Sequence, residues 1–462
     1  MPVQNEAAEE FPAVAGSPVS AVLATATVYL PFFGMMSTIQ NAADLCAWRM
    51  CIGCGACAYA CPERKIVLKD MEEDGIRPFL KDPDCVGCPD CLKVCPGLET
   101  AHAVGGPEIG LVRELKAGWG PVLELWEGHA TDPRFRFEGS SGGATSALAA
   151  FCLEKGLAEG VMHIGASGID PLRNRTFYSR SKEELHARTG SRYSPASPCD
   201  SLEVLEKAKG AGVFIGKPCD VVGLRRSESL RPSLREKVAL AIGIFCAGTP
   251  STRGTLDLIR KLGVAPNTVE ELRYRGRGWP GMATVRLKGQ AELHRRLSYM
   301  DAWGFLQKYR PYRCYLCPDG TGEFADLSCG DPWYREIREG EAGYSLVVVR
   351  NEKGRRVLRE AMEAGYLTLK PVEPNVLVRS QENLLRKRQA IWGRLLALKA
   401  IGIPTPRLEG FSLFQNWLAL PFIDKIRSVA GTARRAIRRK YYRPLEWKTG
   451  EFPPGINESN II

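Results

Sequence analysis

The sequence contains no unbroken apolar run of the roughly 20 residues that a bilayer-spanning helix needs. The nearest approach, Ala21 to Met36, is 16 residues long and is interrupted by Pro31 and Gly34. It is read as part of a loose tail over residues 1–44, or as an extension upstream of a start at Met35 or Met36. A secretory signal is also missing, because Asn5–Glu10 is acidic where a signal peptide is basic. The bulk composition, 44% hydrophobic and 25% charged, excludes a collagen-like, coiled-coil or wholly disordered chain. With 462 residues there is room for two or three domains. What the chain has in excess is cysteine, 16 residues. Spacing decides whether these serve metal or disulfides.

Eight of them form two runs with one spacing, C-x2-C-x2-C-x3-C-P: Cys51, Cys54, Cys57, Cys61 with Pro62, and Cys85, Cys88, Cys91, Cys95 with Pro96. This is the bacterial ferredoxin pattern, in which the fourth cysteine of each run serves the other cluster. Cys51, Cys54, Cys57 and Cys95 are therefore expected to hold one 4Fe–4S cluster, and Cys85, Cys88, Cys91 and Cys61 a second. Gly53, Gly55 and Gly87 permit the tight loops. Zinc favours ligand pairs parted by a longer spacer, and disulfides do not need three thiols so close. Between the runs, Ile66–Lys69 and Ile76–Leu80 flank Glu73-Asp74-Gly75, a hairpin signal. Cys46 fits neither run and is read as a free thiol.

The other cysteines are scattered. Cys152 lies among apolar residues and reads as core, and Cys199 sits in a proline-rich loop. Cys219 follows a short strand and Gly216-Lys217-Pro218, Cys246 ends another strand, and Cys314 and Cys317 form a C-x2-C pair. Strand ends are where an α/β sheet presents functional groups. Cys219, Cys246, Cys314 and Cys317 are thus candidates for a third cluster, with Cys329 in reserve; the alternative is plain buried thiols. Gly139-Ser140-Ser141-Gly142-Gly143-Ala144 precedes a helical pattern and Thr145. Backbone N–H groups and hydroxyls there suit a phosphate, though this loop is neither a G-x-G-x-x-G nor a Walker loop, and a simple serine cap reads equally well.

From about 118 to 375, apolar runs alternate with helical patterns: strands at Val122–Trp126, Val161–Ile164, Val213–Ile215, Val238–Phe245, Ser345–Arg350 and Leu367–Leu369, helices at Thr145–Lys155, Gly254–Leu262 and Gly354–Ala364. The alternation predicts an α/β domain with a largely parallel sheet. One long helix is expected over Asn375–Ile401, a second over Pro421–Tyr442, and a loose end over Glu451–Ile462. The division is a tail at 1–44, a ferredoxin-like α+β module at 45–105 closed by Gly105-Gly106-Pro107, an α/β domain at 115–375, and a helical C-terminal region at 376–462.

The order of motifs carries a resemblance. The cysteine quartets, the Ser-Ser-Gly-Gly loop, Gly190-Ser-Arg-Tyr193, Gly216-Lys-Pro-Cys-Asp220, Ile244-Phe-Cys246, Cys314-x2-Cys317 and Ala325-Asp-Leu-Ser-Cys-Gly-Asp331 together resemble the family of coenzyme F420 hydrogenase/dehydrogenase β subunits over roughly residues 45–400. The resemblance implies an FAD- and iron–sulfur-containing oxidoreductase. It implies a flavin against Ser140, Ser141, Gly142, Gly143, Thr145, Ser191, Tyr193 and Lys217, with Lys217 tuning it. Lys217 stands where the family pattern suggests a small residue or threonine.

Net charge is +11, and Lys425, Arg427, Arg434, Arg435, Arg438, Arg439, Lys440 and Arg443 supply eight positive charges without an acid between them. Phe422, Ile426, Val429, Ala430, Ala433, Ile437 and Tyr441 fall along one side of that segment. Such a helix suits an anionic membrane surface or an acidic partner, or packs its apolar side on its own domain. No reader motif for nucleic acid accompanies it. The sequence therefore describes a cytoplasmic oxidoreductase, at most peripheral at the inner membrane face. Electrons from ferredoxin or a redox-enzyme subunit would reach FAD through 4Fe–4S clusters and leave to a small hydride acceptor such as F420. The alternative is an electron-transfer subunit with no substrate of its own.

Overall fold

Apolar segments too short to be helices and rich in Val, Ile and Leu build the centre of the molecule. A computed structural model of the chain describes residues 39–446, apart from 83, 84, 86, 103–109, 291, 293, 294 and 339. The early strands are β1 (Ile66–Asp70), β2 (Ile76–Leu80), β3 (Glu99–Ala101), β4 (Glu124–Ala130), β5 (Gly160–Ala166), β6 (Asn174–Ser179), β7 (Gly212–Gly216) and β8 (Val238–Ile244). Then follow β9 (Val269–Arg273), β10 (Met282–Leu287), β11 (Arg295–Ser298), β12 (Leu327–Gly330), β13 (Ser345–Val349), β14 (Leu367–Pro371) and β15 (Arg407–Glu409).

Eight strands form one sheet in the order β14-β4-β13-β12-β8-β7-β5-β6. The expected largely parallel sheet is corrected to a mixed one. Only the run β12-β8-β7-β5 is parallel, and every pairing outside it is antiparallel. The reason is local. The link from β5 to β6 is a short loop, which allows a hairpin but not the crossover a parallel neighbour needs.

One face of the sheet, through Val161, Val213, Leu240, Ile242, Val347 and Val349, packs on the helices Ala144–Glu154 and Glu352–Glu363. On the other face Met162, Phe214 and Ala241 meet Leu224 of the helix Pro218–Leu230, and behind it lie Cys54, Ala56 and Tyr59 of the cysteine-rich module. The module thus seats on the sheet domain, and β15 pairs with β3 to bring the C-terminal region back to it. A smaller sheet, β11-β10-β9, forms a separate layer around Tyr274, Leu272 and Val285.

The single helix expected over Asn375–Ile401 is three: Asn375–Ser380, Glu382–Gln389 and Ile391–Ala400. Gln381 leaves helical geometry at φ −130° and donates its side-chain amide to Asp331 O at 2.7 Å. The second expected helix is Phe422–Arg438. The tail boundary at residue 44 falls inside a helix, Ala42–Ala47, capped by Asn41 and buried through Ala42, Leu45 and Cys46. Residues 1–38, the Gly105-Gly106-Pro107 boundary and the loose end from Glu451 lie outside the described residues. Among the described residues, no helix is long and apolar enough to cross a membrane.

Candidate redox centre

The two cysteine runs wrap into adjoining loops. Gly53 and Gly55 take φ of +73° and +90°; a Cβ on Gly53 would stand 2.7 Å from Ile76 O, and one on Gly55 2.7 Å from the Asp200 nitrogen. Glycine is therefore needed both for the turn and for the seat against the sheet domain. The thiols sort into two groups. Burial raises Cys57, with Cys51, Cys54 and Cys95 its largest charge partners and Cys91 of the other run after them. Burial likewise pushes Cys95 up to about 12, with Cys54 and Cys51 next. Cys91, pushed up to about 11 mainly by burial, feels Cys85, Cys88 and Cys61. Cys95 of the second run thus neighbours the first run, and Cys61 of the first run neighbours the second. The first group is buried, whereas Cys61 and Cys85 are half-buried and Cys88 is exposed.

Cys46 and Cys199 flank the first group. The Cys46 thiol bonds the Cys51 sulfur and lowers its pKa, aided by the buried Arg77 guanidinium. Cys199, which closes the seat from the sheet side, donates its backbone N–H to Cys54 O at 3.0 Å.

The four scattered cysteines converge. Cys219 sits in the first turn of Pro218–Leu230, Cys246 just past β8, Cys314 on the turn Tyr312–Leu316 and Cys317 directly after it. All four line one small cavity, together with Cys51, Arg77, Lys217 and Lys387. Burial pushes Cys246 up to about 11, with Cys314 the largest charge contribution. Buried Arg313 fixes the turn against the first quartet, donating to Pro96 O at 3.2 Å and Leu316 O at 2.9 Å. The reserve cysteine is elsewhere: Cys329, on β12, bonds Thr145 and lines a different cavity. Among the described residues no three His, Cys, Asp or Glu gather tightly enough for a single metal ion. A cubane spreads four thiolates over four irons rather than gathering them on one.

The second cavity has a volume of about 1010 Å3, at the top of the range for cofactor sites. Ser140, Ser141, Gly143, Thr145, Ser191, Tyr193 and Lys217 line it. Gly142 does not: its N–H donates to Ser345 Oγ at 2.9 Å, and a Cβ there would stand 2.8 Å from Gly128 O. Gly142 is a packing glycine, which corrects its expected place at a phosphate. The Ser141 hydroxyl is likewise occupied by Tyr344 O at 2.6 Å. The helix Ala144–Glu154 opens here at Gly143, φ +76°, with no capping side chain, so its first amides face the cavity without a protein acceptor from a cap.

Lys217 is mostly buried and clamps Asp220, with Nζ 2.6 and 2.8 Å from the carboxylate oxygens. Burial alone would lower its pKa; Asp220, Cys219 and Cys246 outweigh that and raise it. At the far side Arg275 is bidentate to Asp331, at 2.7 and 2.9 Å, and Trp279 donates to the same carboxylate at 2.8 Å. Tyr299 stacks on Trp333 beside them, ring centroids 5.3 Å apart. The two cavities share Ala196, Lys217, Cys246, Gly248, Thr249 and Lys387.

Family models match in three stretches: residues 125–204 the N-terminal part of the coenzyme F420 hydrogenase/dehydrogenase β subunit, residues 212–375 its C-terminal part, and residues 50–97 a 4Fe–4S dicluster domain. The chain belongs to the family of coenzyme F420 hydrogenase/dehydrogenase β subunits. It is 26% identical over 304 residues to the β subunit of coenzyme F420 hydrogenase of Methanothermobacter thermautotrophicus, covering 62% of this chain and 99% of that one. It is 26% identical over 259 residues to the β subunit of F420-dependent formate dehydrogenase 1 of Methanococcus maripaludis, covering 55% and 63%. Over 334 residues it is 23% identical to a subunit of the F(420)H(2) dehydrogenase of Methanosarcina mazei, covering 68% and 84%. A chain of the F420-reducing [NiFe] hydrogenase complex from Methanosarcina barkeri superposes with a TM-score of 0.48 at 20% identity, covering 66% of this chain and 98% of that one.

Several members of the site escape sequence reasoning. Arg77 lies in a hairpin strand where alternation reads it as solvent-facing, and Lys387 lies in a charged helix indistinguishable from a surface one. The Arg275–Asp331 pair joins residues 56 apart, with no local pattern to announce it.

Proposed function

We propose that this family member is an electron-transfer β subunit of a larger redox complex, carrying three 4Fe–4S sites and a flavin. The observation that carries the reading is the shared wall: Cys246 and Lys217 border both the four-cysteine cavity and the large one, and Cys51 of the first quartet borders the former. Cys51, Cys54, Cys57 and Cys95 would hold the first cluster, Cys61, Cys85, Cys88 and Cys91 the second, and Cys219, Cys246, Cys314 and Cys317 the third. The open amides of the Gly143–Thr145 turn, with Ser140, Ser191 and Tyr193, suit a flavin nucleotide. Clusters exchange single electrons and a flavin exchanges one or two, and that is the chemistry these sites supply when loaded. The protein's share is to bury the inner thiols and to leave Cys88 at the surface, where another member of the complex can approach. The relatives' names, subunits of hydrogenases and dehydrogenases, support this over a free-standing enzyme. A second reading adds a hydride-acceptor site, F420 or a similar planar carrier, and rests on the stacked Tyr299–Trp333 pair on the wall of the large cavity.

Anaerobic reconstitution tests the reading. Iron should reach about twelve per chain, four per cubane, with flavin bound. Cys314→Ser with Cys317→Ser should lose about four irons, and Cys51→Ser and Cys95→Ser should disturb the same electron paramagnetic resonance signal. An unchanged iron count in the double variant returns the four scattered cysteines to buried thiols. Reconstituted protein without flavin removes the large cavity's assignment.

A further inference from the structure

The helix Phe422–Arg438 turns its small side chains inward and its large apolar ones outward. Ser428, Thr432 and Ala436 form its buried row. They lie against the helix Ile391–Ala400, where a Cβ on Gly393 would stand 2.1 Å from Ser428 Oγ. Phe422 is 77% exposed, Ile437 58%, Ile423 54% and Ile426 45%. The preceding helix, Leu413–Leu418, adds exposed Phe414 and Leu418. Eight of the thirteen exposed large apolar side chains among the described residues lie between Leu396 and Tyr442. The patch is thus a local feature, not the scatter normal to a protein surface.

Charge is arranged around this strip. At 3.6 residues per turn, Phe422, Ile426, Ala430 and Ile437 run along one outward line with Ile423 beside it, and Arg427, Arg434 and Arg438 form the adjacent row. Lys425–Arg443 contains eight basic residues and no acid; the one acid of the helix, Asp424, pairs with Arg427 at 3.2 Å. Of the apolar side named from sequence, Tyr441 is buried and Val429 and Ala433 are half-buried against the domain, whereas Phe422, Ile426 and Ile437 stay outside.

We propose that this face docks on the surface of an anionic lipid bilayer, with Phe422, Ile423, Ile426 and Ile437 in the boundary between headgroups and acyl chains and Arg427, Arg434 and Arg438 at the lipid phosphates. An outward apolar strip edged by arginine is the pattern of a helix lying in the interface plane. A protein partner needs a complementary shape, and a single convex helix offers a strip without a groove; a bilayer needs none. The inference goes beyond the electron-transfer reading and stands without it.

The test uses the full chain and vesicle flotation, comparing pure phosphatidylcholine with phosphatidylcholine containing phosphatidylglycerol. The chain should float with the anionic vesicles only, and high salt should release it. Arg427→Gln/Arg434→Gln/Arg438→Gln should weaken partitioning roughly 100-fold. Phe422→Ser/Ile423→Ser/Ile426→Ser should weaken it at least about tenfold. All six side chains belong to a face turned away from the core, so unfolding midpoints should stay at the wild-type value. Unchanged partitioning of both triple variants overturns the proposal, as does equal floating with neutral vesicles. No floating of the wild type also overturns it, and loss of complex assembly in the same variants would then assign the face to a protein.

Discussion

At the scale of single residues, two lysines border the candidate redox sites, and they differ in how their charge is compensated. Lys217 reaches the right place, but its charge is cancelled by Asp220 at 2.6 Å. Lys387 also borders both cavities, acts electrostatically on Cys246 and Cys317, and has no ion pair among the described residues. An uncompensated ammonium stabilises the reduced, more negative state of a nearby cofactor. Lys387→Met should therefore lower the potential of the adjacent cluster or flavin by tens of millivolts, after allowance for solvent screening. Lys217→Met with Asp220→Asn removes a neutral pair and should move it much less. Redox titration of both reconstituted variants decides; equal shifts would sink the distinction. His163, on β5, is buried, bonded to Ser179 Oγ at 2.9 Å, and held down at about 4 chiefly by desolvation. Its folded pKa lies below the unfolded value of 6.5, so the unfolded chain takes the proton first as pH falls. Its neutral-state contribution is complete above 6.5 and is lost toward pH 4, up to about 3 kcal/mol. Asp200, raised to about 6 by burial, acts in the opposite sense, losing stability as pH rises from its unfolded value through 6. The His163 share is therefore read as the difference between wild type and His163→Gln in chemical unfolding from pH 7 to 4. Parallel pH profiles for the two proteins would remove it.

Secondary-structure elements were legible to the extent that their information is local. The cysteine loops, the hairpin β1–β2 and the strands Val161–Ile164 and Val213–Ile215 follow from spacing and apolar runs, and the structure has them within a few residues of their expected bounds. The layer β9–β11 and the strand β6 were missed because their sequences, such as Val269–Arg273 and Asn174–Ser179, are polar and pair only through tertiary contacts. The break at Gln381 follows from a bond to Asp331, which no window around residue 381 can see. The same holds for the crossing of Ile391–Ala400 with Phe422–Arg438, which depends on the missing side chain of Gly393. Trp417 Nε1, only 2.7 Å from a Cβ on Gly393 and itself bonded to Ser428 Oγ, closes the gap from a third helix. Gly393→Val should force these helices apart at a cost of about 1–3 kcal/mol, seen as a lower unfolding midpoint. Gly431→Ala, where a Cβ would meet nothing, should leave the midpoint unchanged or raise it slightly. A Gly393→Val protein as stable as wild type would show that the contact relaxes freely.

Over the whole molecule, the ferredoxin-like module and the sheet domain are one mechanical body, although the sequence presents them as separate pieces. Arginines do the joining. Arg226 donates to Lys93 O at 2.7 Å and pairs with Glu99 at 3.0 Å. Arg231 reaches Tyr59 O at 3.2 Å, and Arg173 pairs with Asp70. Arg313, only 3% exposed, bonds the chain at Pro96 directly after the Cys95 thiol. A buried guanidinium whose acceptors are backbone carbonyls is costly to lose, because the carbonyls are then left unpaired. Arg313→Leu should therefore do two things at once. It should lower stability by about 2–4 kcal/mol, and it should disturb both the cluster proposed at Cys95 and the one proposed at Cys314 and Cys317, since the residue ties their loops together. Arg64→Leu removes a solvent-exposed pair to Glu203 across the same boundary and should cost under about 1 kcal/mol, with both spectra unchanged. Thermal unfolding with iron retention, followed on each protein anaerobically, separates these outcomes. If Arg313→Leu lost one cluster's signal and left the other intact, the two loops would be shown to fold independently, and the seam between module and domain would not be the rigid joint that the hydrogen bonds describe.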